Sequence, residues 1–112
     1  MKLITAIIRP DKLADVRSAL EEFGLQGLTV SEASGYGRQK GHRQFYRGAA
    51  YTQDLVPKLR LEILAEDFDA LRILEIVLES ASTGEPGDGK VWVTTADQVI
   101  RVSDRAEGAE AL

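Results

Sequence analysis

The chain of 112 residues lacks cysteine, contains a single histidine and has no long apolar run. Without cysteine, disulfides and thiolate zinc sites are excluded, and His42 alone cannot build a histidine metal cluster. A membrane-spanning helix needs about 20 apolar residues, and no segment approaches that length. The N-terminal apolar stretch is too short for a signal peptide and lacks a small-residue cleavage site. We therefore expect one cytoplasmic domain that covers residues 1–112.

Charge is unevenly distributed along the chain. The net charge of −4 argues against a nucleic-acid partner. Segment 37–55 nevertheless carries a charge of +3, because Asp54 is its only acidic residue and its four cations are Arg38, Lys40, Arg43 and Arg47. This distribution predicts an anionic ligand or an acidic partner surface.

The apolar pattern predicts a strand, a helix and a strand in each half of the chain. Strands are expected at residues 2–8, 28–36 and 58–65, with one or two more within 90–102. Asp11 and Asp67 are predicted to cap two helices, and Gly24 is predicted to end the first. Two such halves predict an α+β, ferredoxin-like split βαβ sandwich, βαββαβ, with both helices on one sheet face. The apolar segments "ITAII" and "VWV" lack clean polar alternation, which predicts that the other sheet face packs in an oligomer.

Two polar loops hold seven of the ten glycines. Residues 35–51 are too many for a tight turn; they form either a solvated excursion or a site whose arginines bind phosphate or carboxylate. The aromatic residues in this loop suit a partner interface. The sequence "GDG" at 87–89 is either a turn or a nest of backbone N–H groups that binds an anion, with Lys90 adding charge. Asp88 is predicted to brace this turn. Arg101 is predicted on the last strand at the same sheet end, and Trp92 in the core or a subunit interface.

Longer motifs identify a resemblance that spans the chain. The segments "MKLITAIIRPDKL", "GLTVSEASGYGRQKGH", "YRGAAY", "PKLRLEI", "TGEPGDGKVWV" and "IRV" are similar to the PII nitrogen-regulatory signal proteins. "GKVWVT" and "GAEAL" resemble, more weakly, the actinobacterial branch. The resemblance implies a homotrimer with ATP or ADP in each cleft between subunits. It also implies a T-loop at 37–55, a phosphate-binding loop at 82–90 and a C-terminal tail at 103–112.

The resemblance also implies the site residues. The nucleotide would contact Thr29, Gly37, Arg38, Leu64, Gly87, Asp88, Gly89, Lys90 and Arg101. 2-Oxoglutarate would bind beside ATP through Mg²⁺, with Gln39 completing the metal shell and Lys58 pairing with the distal carboxylate. A dicarboxylate next to a triphosphate needs a metal and a cation to offset their repulsion.

The family's signalling mechanism is implied in the same way. Different ligands would stabilise different T-loop conformers, and each conformer would bind a target enzyme or an ammonium-type transporter, which would recruit the protein to the membrane. Tyr51 resembles the tyrosine that a nucleotidyltransferase modifies.

Several positions depart from the family pattern. Ser103, followed by Asp104, stands where a second arginine is usual, and Arg9 replaces a lysine. Glu85 brings negative charge near the phosphates and Pro86 lacks an N–H donor, so we expect weaker ATP or ADP binding than in a typical member. Ala50 alters the surface next to Tyr51.

Other functions are therefore weighed alongside the family's usual one. One is a specialised paralogue that prefers ADP, AMP or another small anion and has a different partner. A nucleic-acid-binding ferredoxin-like module is less favoured, because the central strands lack the stacking aromatics it needs. An enzyme is not expected, because no nucleophile and base are apparent, so at most slow incidental ATP hydrolysis is predicted.

Overall fold

The computed structural model of the protein describes residues 1–37, 43–46, 49–52 and 55–112, with side chains in 1–37 and 55–112. The strands are β1 Lys2–Ile8, β2 Thr29–Gly35, β3 Arg43–Tyr46, β4 Ala49–Thr52, β5 Val56–Ala65 and β6 Lys90–Thr95. The helices are α1 Leu13–Phe23 and α2 Asp67–Ala81, and short 3₁₀ turns cover Pro10–Lys12 and Gly108–Ala111. The predicted strand–helix–strand order is confirmed in both halves.

The main sheet has four antiparallel strands in the order β2-β5-β1-β6. Alternate residues of β1, among them Ile4 and Ala6, are fully buried in one core cluster with Val16 of α1 and Ile73 of α2. Both helices therefore cover the same face of the sheet, since side chains two apart on a strand point to one side. This is the predicted α+β ferredoxin-like arrangement. Each fully buried aliphatic side chain contributes about 1.5–3 kcal/mol to folding.

The opposite face of the sheet mixes apolar and polar side chains. The register sets Thr5 of β1 between Glu62 of β5 and Trp92 of β6. Thr5 is almost fully buried, yet Trp92 remains 41% exposed and Leu64 39% exposed. The prediction of a core position for Trp92 is wrong, because this strand position faces away from the helices. Its place in a subunit interface stays a prediction.

The predicted helix caps are wrong in both helices. Asp11 lies inside the 3₁₀ turn that begins at Pro10, so Lys12 occupies the cap position of α1 without a side-chain bond. Proline favours the first position of a helical turn, which moves the start upstream of Asp11. Asp67 is the first residue of α2, and its carboxylate lies 2.9 Å from the terminal ammonium of Met1. Gly24 ends α1 as predicted.

Two further segments differ from the sequence-based expectation. Residues 35–51 were expected to form a loop, yet β3 and β4 pair there as an antiparallel hairpin. Aromatic residues in both short strands favour extended backbone. Past β6, Ile100 forms one isolated bridge with Glu107, so Arg101 lies in no strand of the described structure. Among the described helices, none is long and apolar enough to cross a membrane.

Candidate functional site

The 82–90 loop joins α2 to β6 and packs against the end of β1. Gly89 has a φ of +98°, and a Cβ there would lie 1.7 Å from the carbonyl oxygen of Ile7. No side chain fits at that distance, and positive φ is unfavourable for residues other than glycine. Gly89 therefore allows the loop to approach the backbone of β1 directly.

The carboxylate of Asp88 holds the loop closed. It accepts hydrogen bonds from the backbone N–H groups of Thr83 (2.8 Å) and Gly84 (2.9 Å), and from the hydroxyl of Thr83 (2.5 Å). Arg9 Nε donates to the same carboxylate over 2.9 Å. The Thr83 hydroxyl and then Arg9 hold the pKa of Asp88 well below its usual range. The prediction that Asp88 braces the turn is confirmed.

Two cations hold carbonyl groups of the same loop. Arg9 Nη2 donates to the carbonyl of Pro86 over 2.8 Å, and Lys58 Nζ donates to the carbonyl of Gly87 over 2.5 Å. Lys58 is only 7% exposed. Burial lowers the pKa of Lys58, the charge of Arg9 lowers it further, and Asp88 opposes both effects. Arg9, which directly follows β1, and Lys58 of β5 thus hold the loop from two sides.

The backbone N–H groups of Gly87, Asp88 and Gly89 differ from the carbonyls of this loop. Within the described ranges they donate no hydrogen bond. Successive N–H groups of this kind form a concave partial positive charge that can accept an anion. The loop is therefore fixed through its carbonyls and its carboxylate, and three consecutive donors have no partner among the described residues.

A cavity of about 510 Å³, here called the loop cavity, lies beside this loop. It brings together six of the residues predicted from the sequence: Gly37, Lys58, Gly87, Asp88, Gly89 and Lys90. Trp92 and the unusual pair Glu85 and Pro86 also line it. Four nonconsecutive segments thus meet here: β1 near its end, the end of β2 with the residues after it, the start of β5, and the 82–90 loop with the start of β6.

Three other predicted residues lie in a second cavity of about 920 Å³, here called the Arg101 cavity. Thr29, Leu64 and Arg101 line it, together with C-terminal residues that include Leu112. Lys58 and Leu64 are six positions apart on β5, which corresponds to about 20 Å along an extended strand. The two cavities therefore lie at opposite ends of the sheet.

The prediction that Arg101 shares a sheet end with the 82–90 loop is wrong. Strand β6 leaves the loop at Lys90 and runs antiparallel to β1. It ends beside the first residue, where the N–H of Ala96 donates to the carbonyl of Met1 over 3.0 Å. The residues that follow, Arg101 among them, begin at the far end of the sheet.

Arg101 forms a two-pronged ion pair with Asp104. Arg101 Nε lies 2.9 Å from Asp104 Oδ1, and Nη2 lies 2.6 Å from Oδ2. Hydrogen bonding to Asp104 raises the pKa of Arg101, and hydrogen bonding to Arg101 lowers the pKa of Asp104. The side chains are 42% and 51% exposed, so solvent reaches this pair.

Sequence reasoning missed the roles of Arg9, Thr83 and Asp104. Arg9 was noted for its charge alone, although its guanidinium donates to both Asp88 and Pro86. The Thr83 contact spans five residues within one loop, and no periodic pattern reports such a bond. Asp104 follows Arg101 by three residues in a short polar segment, which is the signal that could have indicated their pairing.

The remaining predicted residues all belong to the 37–55 segment. Arg38 and Gln39 lie outside the described residues, and for Tyr51 the backbone in β4 is described without its side chain. Among the residues that the structure describes, no three acidic or histidine side chains are grouped to hold a metal ion.

The four-stranded antiparallel sheet with both helices on one face defines an α+β protein of ferredoxin-like fold. Residues 1–106 match the family described as "Nitrogen regulatory protein P-II". The chain is 47% identical over 112 residues to the nitrogen regulatory protein P-II of Rhizobium meliloti (strain 1021) and 46% identical to that of Azospirillum brasilense, with 100% of each chain covered. It is 48% identical over 102 residues to the nitrogen regulatory protein GlnK of Escherichia coli (strain K12), which covers 91% of each chain. The chain therefore belongs to the nitrogen regulatory protein P-II family, as its motifs predict.

Proposed function

We propose that the protein is a P-II signal transducer that binds ATP or ADP between the subunits of a homotrimer. It regulates enzymes or a transporter of nitrogen metabolism through the 37–55 T-loop and does not transform its ligand. Membership of the P-II family supports the regulatory role, since the matched relatives are named as regulatory proteins.

One observation carries the nucleotide proposal: three consecutive backbone N–H donors at 87–89 without a partner in the described chain. A phosphate group accepts such donors, and Lys90 and Lys58 line the same cavity. The carboxylate of Asp88 is engaged with Thr83, Gly84 and Arg9. Its negative charge is therefore partly compensated within the loop, so it repels a bound phosphate less strongly.

The separation of the two cavities supports a site shared between subunits. Leu64 lies about 20 Å along β5 from Lys58, and Thr29 and Arg101 line the same cavity as Leu64. A ring in which the loop cavity of one subunit meets the Arg101 cavity of the next would bring both sets to one nucleotide. Such head-to-tail contacts close into rings of identical subunits.

Lys58 supplies a physical basis for a 2-oxoglutarate response. Its ammonium group lines the loop cavity and donates to the carbonyl of Gly87. A carboxylate that binds Lys58 competes with this carbonyl, so its arrival changes how the 82–90 loop is fixed. Mg²⁺ bound to ATP would neutralise charge between the two anions, and Gln39 is the side chain proposed to complete its shell.

The T-loop begins at the wall of the loop cavity, because Gly37 lines it. A ligand in this cavity contacts the point where the T-loop leaves the body of the protein. ADP and ATP with Mg²⁺ and 2-oxoglutarate would then favour different T-loop conformers, and each partner would select one of them. Tyr51 is the proposed position of nucleotidyltransferase modification.

Calorimetric titrations with ATP, ADP and AMP, and with 2-oxoglutarate in the presence of Mg²⁺ and ATP, test this proposal. We expect saturable binding of an adenine nucleotide at one site per subunit, and heat from 2-oxoglutarate only after ATP and Mg²⁺ are added. Light scattering should give the mass of a trimer. A monomer that takes up no adenine nucleotide at millimolar concentration would refute the proposal.

The same titrations address a second candidate, a specialised paralogue with a different ligand preference. Glu85 and Pro86 line the loop cavity, and Pro86 supplies no N–H donor. If ADP or AMP binds while ATP and 2-oxoglutarate do not, the specialised function is the correct one. Binding of RNA instead of nucleotides would contradict both candidates.

A further inference from the structure

Arg101 already has an anionic partner inside its own subunit. Its guanidinium faces the Arg101 cavity and holds both oxygens of Asp104. Two parallel N–H donors bind a carboxylate or a phosphate with the same geometry. A phosphate group that contacts Arg101 therefore has to share or displace the carboxylate of Asp104.

We propose that Asp104 is an internal counter-anion that competes with the nucleotide phosphates for Arg101 and so sets the affinity for ATP and ADP. The inference rests on the proposed nucleotide site and adds a residue that determines its affinity. It adds a second physical reason, beside Glu85 and Pro86, to expect weak nucleotide binding by this chain.

Hydrogen bonds in the segment that follows Arg101 position the carboxylate of Asp104. The N–H of Arg101 donates to the carbonyl of Ala106, and the N–H of Arg105 donates to the carbonyl of Arg101, each over 2.9 Å. The N–H of Ala106 also donates to Asp104 Oδ1 over 3.1 Å. A partner tethered in this way has a high effective concentration that the free nucleotide has to overcome.

Electrostatics predicts which ligands are affected. With Asp104 ionised, the pair presents almost no net charge to a phosphate, and a displaced carboxylate nearby would repel it. Removing this charge should strengthen ATP binding more than AMP binding and leave adenosine unchanged, because adenosine carries no phosphate. Salt should reduce the effect, since both side chains are partly exposed to solvent.

The test compares Asp104→Asn with the wild type in titrations of ATP, AMP, adenosine and inorganic tripolyphosphate at low salt. Asparagine keeps an oxygen that can accept from Ala106, so the segment retains that bond. We expect Asp104→Asn to tighten ATP and tripolyphosphate binding by about two- to fivefold, the range of exposed ion-pair energies. The gain should disappear near 1 M salt.

Glu21→Gln is the matched control. It removes one negative charge and breaks an exposed arginine–carboxylate pair, Arg17–Glu21 at 2.9 Å, on the outer surface of α1. We expect this variant to bind ATP as the wild type does, which separates the local competition from the change in net charge.

The outcomes distinguish the inference from the function on which it rests. If the wild type binds ATP and Asp104→Asn binds it equally or more weakly, the inference is wrong and the nucleotide site stands. Equal gains for adenosine and ATP would also overturn it, since they would indicate a loosened segment. If neither protein binds any nucleotide, the proposed function itself fails.

Discussion

Replacing Gly89 by alanine should be more damaging than the same change at Gly84 in the 82–90 loop. The left-handed backbone at a φ of +98° costs a residue other than glycine about 1–2 kcal/mol. The new Cβ would also lie 1.7 Å from the carbonyl oxygen of Ile7, so the loop or β1 has to move by more than 1 Å to reach a normal contact. Forced displacement in a packed region typically costs about 1–3 kcal/mol more. We expect a total loss of about 2–5 kcal/mol.

Gly84→Ala is the matched control within the same loop. Gly84 has a φ of +83°, but a Cβ there meets nothing within 4 Å in the described structure. Its replacement should cost only the backbone term of about 1–2 kcal/mol. Urea unfolding of both variants and the wild type, at one subunit concentration, gives the two free-energy losses. Equal losses would refute the close approach of the loop to β1.

Two further predictions concern the bonds that hold the loop. Arg9→Lys keeps the charge but replaces the planar fork, which reaches Asp88 through Nε and Pro86 through Nη2, by a single nitrogen, so ATP binding should weaken by about two- to tenfold in calorimetry; unchanged affinity would show that the fork geometry has no role. Because its folded pKa is lowered, Asp88 contributes stability above about pH 4 that is lost as the pH falls below that value. Urea unfolding between about pH 5 and pH 2 should therefore show a shallower loss for Asp88→Asn than for the wild type; parallel curves would contradict the lowered pKa.

The sequence predicts the fold well because its signals are periodic. Positions two apart in "KLRLEILA" reappear in the structure as the fully buried Leu61 and Ile63, and the continuous apolar run "LITAII" supplies the fully buried Ile4 and Ala6 of β1. The strand–helix–strand order in each half then leaves few ways to bury both helices.

Among the predictions that fail are the two helix caps, where another group takes the role expected of the aspartate or binds the aspartate instead. Asp67 looks like a helix cap, but the terminal ammonium of Met1 lies within its reach. Asp11 follows Pro10, and the proline rather than the aspartate decides where the helical turn starts. The outcome at Asp67 cannot be derived from residue spacing, because Met1 reaches it only in the folded structure. The outcome at Asp11 has a local signal, the adjacent Pro10, which favours the first position of a helical turn.

In the candidate site, too, the sequence predicts the local features and misses the one that depends on the course of the chain. The glycine loop and its aspartate brace are local, and the sequence predicts them. The position of Arg101 is not local, because it depends on the direction in which β6 crosses the sheet and on where the chain goes afterwards. For this reason the sequence groups Arg101 with the 82–90 loop, whereas the structure separates them.

A subunit-mixing experiment tests the shared nucleotide site most directly. Lys90→Glu damages the loop cavity and Arg101→Ala damages the opposite cavity, so each variant alone should lose ATP binding. An intact site forms where the loop cavity of an Arg101→Ala subunit meets the Arg101 cavity of a Lys90→Glu subunit. In trimers assembled at random from equal amounts of both variants, about one interface in four has this arrangement. ATP binding should therefore return to about a quarter of the wild-type capacity. A mixture that binds no more ATP than either variant alone, beside a wild type that binds normally, would contradict a site built from two subunits.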